Sequence, residues 1–187
     1  METLEEKIRR VTAEEIEVVP YDPRWPVLFE TERTHLRACL PPDLVGRVEH
    51  FGSTAVPGLP AKPVVDILVE VADLSETKRR IVPILEGRGY EYFWRPSFDD
   101  DRSPYYAWFI KRGEGGRRTH HIHMVEADSE LWDRLLFRDY LIAHPAAARE
   151  YGVLKTRLAE THRGDRVAYT RAKTEFIAGV MRKAKGA

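Results

Sequence analysis

Residues 50–69 of this chain, His-Phe-Gly-Ser-Thr-Ala-Val-Pro-Gly-Leu-Pro-Ala-Lys-Pro-Val-Val-Asp-Ile-Leu-Val, restrict its fold more than any other stretch. Three prolines and two glycines lie between the apolar runs on either side, so no helix can cross the interval. An apolar strand over Val45–Phe51 must therefore turn at Gly52-Ser53 and return as a second strand over Val64–Val71. Gly-Ser turns leave backbone N–H groups free to face an anion. The second strand carries a lone acid, Asp66, inside Val64-Val65-Asp66-Ile67-Leu68-Val69. A charge in such a run is costly to bury unless it is paired or bound to a metal.

Periodicity extends the picture. Residues 1–16 form a charged lead-in, and Ile16–Val19 is a short strand candidate. Leu28, Phe29, Leu36 and Leu40 keep helical spacing over Val27–Leu40, which Pro41-Pro42 stops. Asp73–Gly87 is a predicted helix with Asp73 as N-cap. Tyr90–Arg95, Tyr105–Lys111 and His120–Val125 are predicted strands, and the acidic loop Phe98–Arg102 separates the first two. Helices are expected at 129–143, 145–161 and 165–184. This order predicts a mixed α+β fold, a sheet flanked by helices with a helical C-terminal third, in a single domain over 1–187 with its core at about 17–182.

Thirty basic and thirty acidic side chains cancel. That balance argues against a generic nucleic-acid binder, although Lys111, Arg112, Arg117 and Arg118 cluster locally. One cysteine, Cys39, excludes a disulfide framework, and it is expected in the core. Met1–Lys7 has no apolar signal region and no run is long enough for a membrane helix, so the expected location is the cytoplasm.

The chain resembles the GrpB family, small bacterial proteins assigned to the nucleotidyltransferase fold of DNA polymerase beta. The resemblance rests on the Gly-Ser run, on Val19-Pro20-Tyr21-Asp22-Pro23-Arg24-Trp25, on Arg118-Thr119-His120-His121-Ile122-His123-Met124-Val125, on Phe137–Leu141 with His144-Pro145, and on Tyr169 with Lys173–Ile177. It implies a nucleotidyltransferase-like central sheet. It also implies a divalent metal (Mg, Mn or Zn) and a nucleotide, or another phosphorylated or carboxylated small molecule, as substrate. In some bacteria a domain like this is fused to dephospho-coenzyme A kinase. Carried over, Gly52, Ser53 and Thr54 would hold phosphate and Asp66 would be the first catalytic acid. A second acid is expected at position 68, which is Leu68.

Alternation puts Asp66, Leu68 and Glu70 on one strand face, and Glu70 lies about 13 Å from Asp66 at ~3.3 Å per residue. A two-carboxylate site of the usual kind is therefore incomplete. His121 and His123 also share a face, and with Asp66 they would form a two-His-one-carboxylate set suited to zinc, iron, manganese or nickel. His50 is a candidate fourth ligand. Lys62 and Arg118 are candidate anion contacts. Tyr169 and Lys173, four apart on one predicted helix, could both reach the site, Lys173 to offset phosphate charge. Trp25, Tyr21 and Trp94 are expected to be core or docking aromatics. Three functions follow: a metal-dependent nucleotidyltransferase-superfamily enzyme, a single-metal hydrolase, cyclase or lyase on the same fold, or a non-catalytic nucleotide or partner scaffold.

Overall fold

In a computed structural model, residues 4–96 and 104–186 are described. The acidic loop Phe98–Arg102 lies outside them. A five-stranded sheet carries the fold, with β1 Val45–His50, β2 Val65–Val71, β3 Glu91–Pro96, β4 Tyr105–Arg112 and β5 Arg118–Val125 in the order β1-β2-β5-β4-β3. β2 and β5 run parallel, and the other neighbouring pairs are antiparallel. Ile16–Val19 contributes only the isolated bridge Val19–Ala61 rather than a strand.

Each face of the sheet buries a different set of side chains, as period-2 alternation requires. Val65, Ile67, Val69, Ile122, Met124, Ala107 and Phe109 point to one side, where Trp25, Phe29 and Leu36 of α2 (Trp25–Cys39) cover them. The Asp73–Gly87 helix also covers this side. It is built as α3 Leu74–Glu76, a π-turn over Thr77–Ile81, and α4 Val82–Glu86. Its start is capped as its sequence predicts, with the Asp73 carboxylate accepting from Glu76 N–H at 2.7 Å.

The other face holds Asp66, Leu68, His121, His123, Val125, Trp108 and Ile110. Val11 of α1 (Leu4–Thr12) and Leu131 pack against its apolar members. The C-terminal third then adds α5 Arg134–Ala143, α6 Pro145–Thr161, α7 Arg166–Arg171 and α8 Thr174–Gly186. A 3-10 turn, Glu130–Asp133, replaces the first turn of the helix predicted from 129. The helix predicted over 165–184 breaks at Ala172-Lys173 into α7 and α8. Val56 and Leu59 of the Gly- and Pro-rich connection pack against Leu141, Ala148 and Tyr151, which brings α6 to the start of β2.

Candidate functional site

Parallel pairing sets Asp66 opposite His121 and Leu68 opposite His123. The carboxylate and both imidazoles therefore project from one face near the start of β2. His121 Nδ1 lies 3.0 Å from Asp66 Oδ1, and His123 Nε2 lies 3.9 Å from the same oxygen. One ligand atom from each residue lies within 4.8 Å of the others. Gly52 follows β1 directly beside this acid. A Cβ there would come within 2.3 Å of Asp66 Oδ2, so the Gly-Ser turn is glycine because the carboxylate occupies the space.

Arg118 Nη1 approaches His121 Nε2 at 3.4 Å. A guanidinium can only donate, so Nε2 accepts, and Nδ1 carries the proton that is donated to Asp66. Burial opposes charge on Asp66, but the hydrogen bond and field of His121 and the nearby His123 outweigh it and hold its carboxyl well below the usual range. Burial keeps His121 neutral. His123 sits among Phe51, Tyr106 and Trp108, with ring centroids at 5.0, 5.5 and 6.2 Å. Burial there lowers its pKa to about 4, and neither ring nitrogen has a hydrogen-bond partner. An unpartnered neutral imidazole beside an ionised carboxylate fits a bound metal ion. Two nitrogens and one oxygen suit zinc, manganese or iron better than magnesium.

Next to this group is a cavity of about 120 Å³, lined by Asp66, His121, Ser53 and Tyr169 and by three lysines, Lys62, Lys155 and Lys173. The Lys62 and Lys173 ammonium groups stand 5.5 and 4.3 Å from the Tyr169 ring centroid. Burial, reinforced by nearby cations (Arg166 and Arg118 for Lys62, Lys173 and Lys62 for Lys155, Lys62 and Arg134 for Lys173), lowers Lys62 to about 8 and Lys155 and Lys173 to about 7. Although the helix predicted to carry Tyr169 and Lys173 is broken between them, both line the cavity. Lys155 escaped the sequence reading. Its signal is a lone cation on the buried face of α6, one turn beyond Tyr151 and flanked by Gly152 and Leu158.

Other predicted residues are placed elsewhere. His50 pairs in register with Ile67 and so faces the opposite side of the sheet from Asp66. It stacks on Phe29 at 5.0 Å and bonds Thr54 Oγ1 at 2.8 Å, outside the Asp66–His121–His123 group. The Thr54 hydroxyl proton goes to the Val64 carbonyl, so Thr54 lines the cavity without a free donor. Arg118 is 9% exposed and pairs with Glu14 at 2.6 Å, so it orients His121 rather than guarding a mouth. Glu70 pairs with Arg47 at 2.7 Å. Lys111, Arg112 and Arg117 are likewise paired with acids, which leaves no free basic groove among them. Trp25 is buried as expected, whereas Trp94 is 37% exposed beneath Lys78. Cys39 is partly buried against the core. Among the described residues no helix is long and apolar enough to cross a membrane.

Comparison with known proteins supplies a lineage. The family described as GrpB protein matches residues 15–183. A UPF0157 protein of Pseudomonas aeruginosa is 42% identical over 173 residues, which cover 92% of this chain and 69% of that protein. The glutamate-rich protein GrpB of Alkalihalophilus pseudofirmus is 33% identical over 168 residues, covering 89% of this chain and 94% of the relative. The crystal structure of conserved protein GrpB from Enterococcus faecalis superposes with a TM-score of 0.75 at 33% identity, covering 90% of this chain and 96% of that one.

Proposed function

The chain belongs to the GrpB protein family, and we propose on that premise that it is a metal-dependent enzyme acting on a small phosphorylated or carboxylated molecule. The observation that carries this reading is the convergence of Asp66, His121 and His123 beside a cavity lined by three lysines. The first group would hold the ion, and the lysines would hold the anion.

Each side chain has a distinct task. Asp66 is ionised and anchors the centre. His123 presents an unshared lone pair. His121 can ligate through Nδ1 only by shifting its proton to Nε2 and giving up the Arg118 contact, so Arg118 sets which tautomer it keeps. Lys62 and Lys173 offset ligand charge, and Ser53 offers a hydroxyl at the cavity wall. A divalent ion held here would polarise a ligand oxygen and lower the pKa of bound water.

The resemblance to nucleotidyltransferases points to phosphoryl transfer, but position 68 is leucine and its side chain is buried in the core. Among the described residues the position two along the strand from Asp66 thus offers no second carboxylate to share two magnesium ions. His123 instead favours single-ion chemistry, a metal-assisted hydrolysis or transfer, over two-ion magnesium transfer.

Elemental analysis of protein purified without a His-tag tests the reading. We expect about one equivalent of zinc, manganese, iron or nickel in the wild type, and loss of it in the His121→Ala/His123→Ala double variant. A wild type that retains and binds no divalent ion would overturn the metal assignment.

A further inference from the structure

Lys155 is the most deeply buried of the three cavity lysines, at 2% exposure, and its Nζ has no hydrogen-bond partner. The Tyr151 ring, with its centroid 4.8 Å away, touches it on its own helix. An ammonium has three protons to donate, and burying it with no acceptor is costly. Lys62, ahead of β2, and Lys173, between α7 and α8, line the same cavity and add like charge. Asp66 opposes them, but His121 already donates to its carboxylate. Tyr169 and Tyr151 both stay neutral, because burial raises their hydroxyls. The uncharged amine relieves the desolvation and the repulsion together, and it exposes a lone pair to the cavity. Desolvation and neighbouring cations are the two conditions that make a lysine nucleophilic at neutral pH.

We infer that Lys155 is a carbamylation site: its Nζ takes up carbon dioxide and becomes an N-carboxylate in the cavity that Lys62 and Lys173 also line. The Nζ lone pair attacks the carbon of CO₂ and forms the N–C bond. One C–O π pair moves onto oxygen, and one Nζ proton leaves to water. No oxidant or second substrate is needed. A cavity of about 120 Å³ amounts to roughly four times the volume of a water molecule in the liquid, which accommodates the added carboxylate. The product places a carboxylate beside the Lys62 and Lys173 amines, which can donate hydrogen bonds to it. The reaction depends on the lysines and not on the metal centre proposed above.

Carbon-13 NMR of the full chain in labelled bicarbonate near pH 8 reads the modification directly. The expected result is a carbamate signal of about one per chain that disappears near pH 6, where the amine is protonated, and in Lys155→Met. Trapping with triethyloxonium ion followed by peptide mass spectrometry should place the ethyl carbamate on Lys155. Lys173→Gln, which keeps the Lys155 amine but removes the Lys173 amine from the same cavity, should lower occupancy several-fold. A folded wild type with no carbamate under saturating bicarbonate would refute the inference, as would trapped label on surface amines with Lys155 bare. Metal content measured on Lys155→Met stays at the wild-type level, so failure here and failure of the metal reading are distinguishable.

Discussion

A single missing methyl group defines the site at the residue scale. A Cβ on Gly52 would clash with both Cβ and Oδ2 of Asp66, at 2.6 and 2.3 Å. The backbone at Gly52 is extended, with φ −74° and ψ −177°, so the requirement is space and not backbone freedom. Gly52→Ala must push the carboxylate away from His121. We expect it to cost about 1–3 kcal/mol, the usual range for overpacking, and to lower metal affinity at least tenfold. Urea denaturation and metal titration would check the two effects separately. Gly52 and Asp66 were legible in the sequence because both break the pattern of their surroundings, a glycine ending a strand and an acid in an apolar run. Lys155 was not, because a lysine within a predicted helix is assigned to solvent until the helix's buried face is known.

Among elements, α2 is tied to the sheet by a buried acid. Glu32 is 1% exposed and accepts from Tyr90 OH and Lys111 Nζ, which reach it from either side of its carboxylate. Glu32→Ala leaves a buried hydroxyl and a half-buried ammonium without their acceptor. We expect a loss of about 3 kcal/mol by thermal or chemical denaturation, with the Asp66–His121–His123 group unaffected because it lies on the opposite face. Alternation within a strand was readable, and the shared face of His121 and His123 follows from it. Pairing between strands was not. The side of the sheet on which His50 falls depends on its register with Ile67, which is set by the length and path of the connection after Gly52. The break between α7 and α8 was equally hidden, since Tyr169, Lys173 and Ile177 keep helical spacing through it.

For the whole molecule, buried bases dominate the response to pH. Burial lowers His50 and His123 to about 4, and Lys155 and Lys173 to about 7, from higher values in the unfolded chain. Between about pH 4 and 6.5, and again between about 7 and 10.5, the unfolded chain binds more protons than the native one. Stability therefore rises with pH in both windows and falls on acidification, by at most about 1.4 kcal/mol per pH unit for each group. Lys155→Met removes one such group. It should gain about 1–4 kcal/mol at pH 7 and show a flatter alkaline limb in denaturation curves taken across pH. A variant less stable than wild type at pH 7 would mean that the ammonium is paid for by contacts it makes here. The same distribution of site residues has a consequence for synthesis. Lys62 and Asp66 leave the ribosome early, His121 and His123 follow on β5, and Lys173 arrives only at the turn before α8. A growing chain thus displays the acid long before Lys155 and Lys173, which share its cavity, and a product ending ahead of α7 would lack both Tyr169 and Lys173 of that lining.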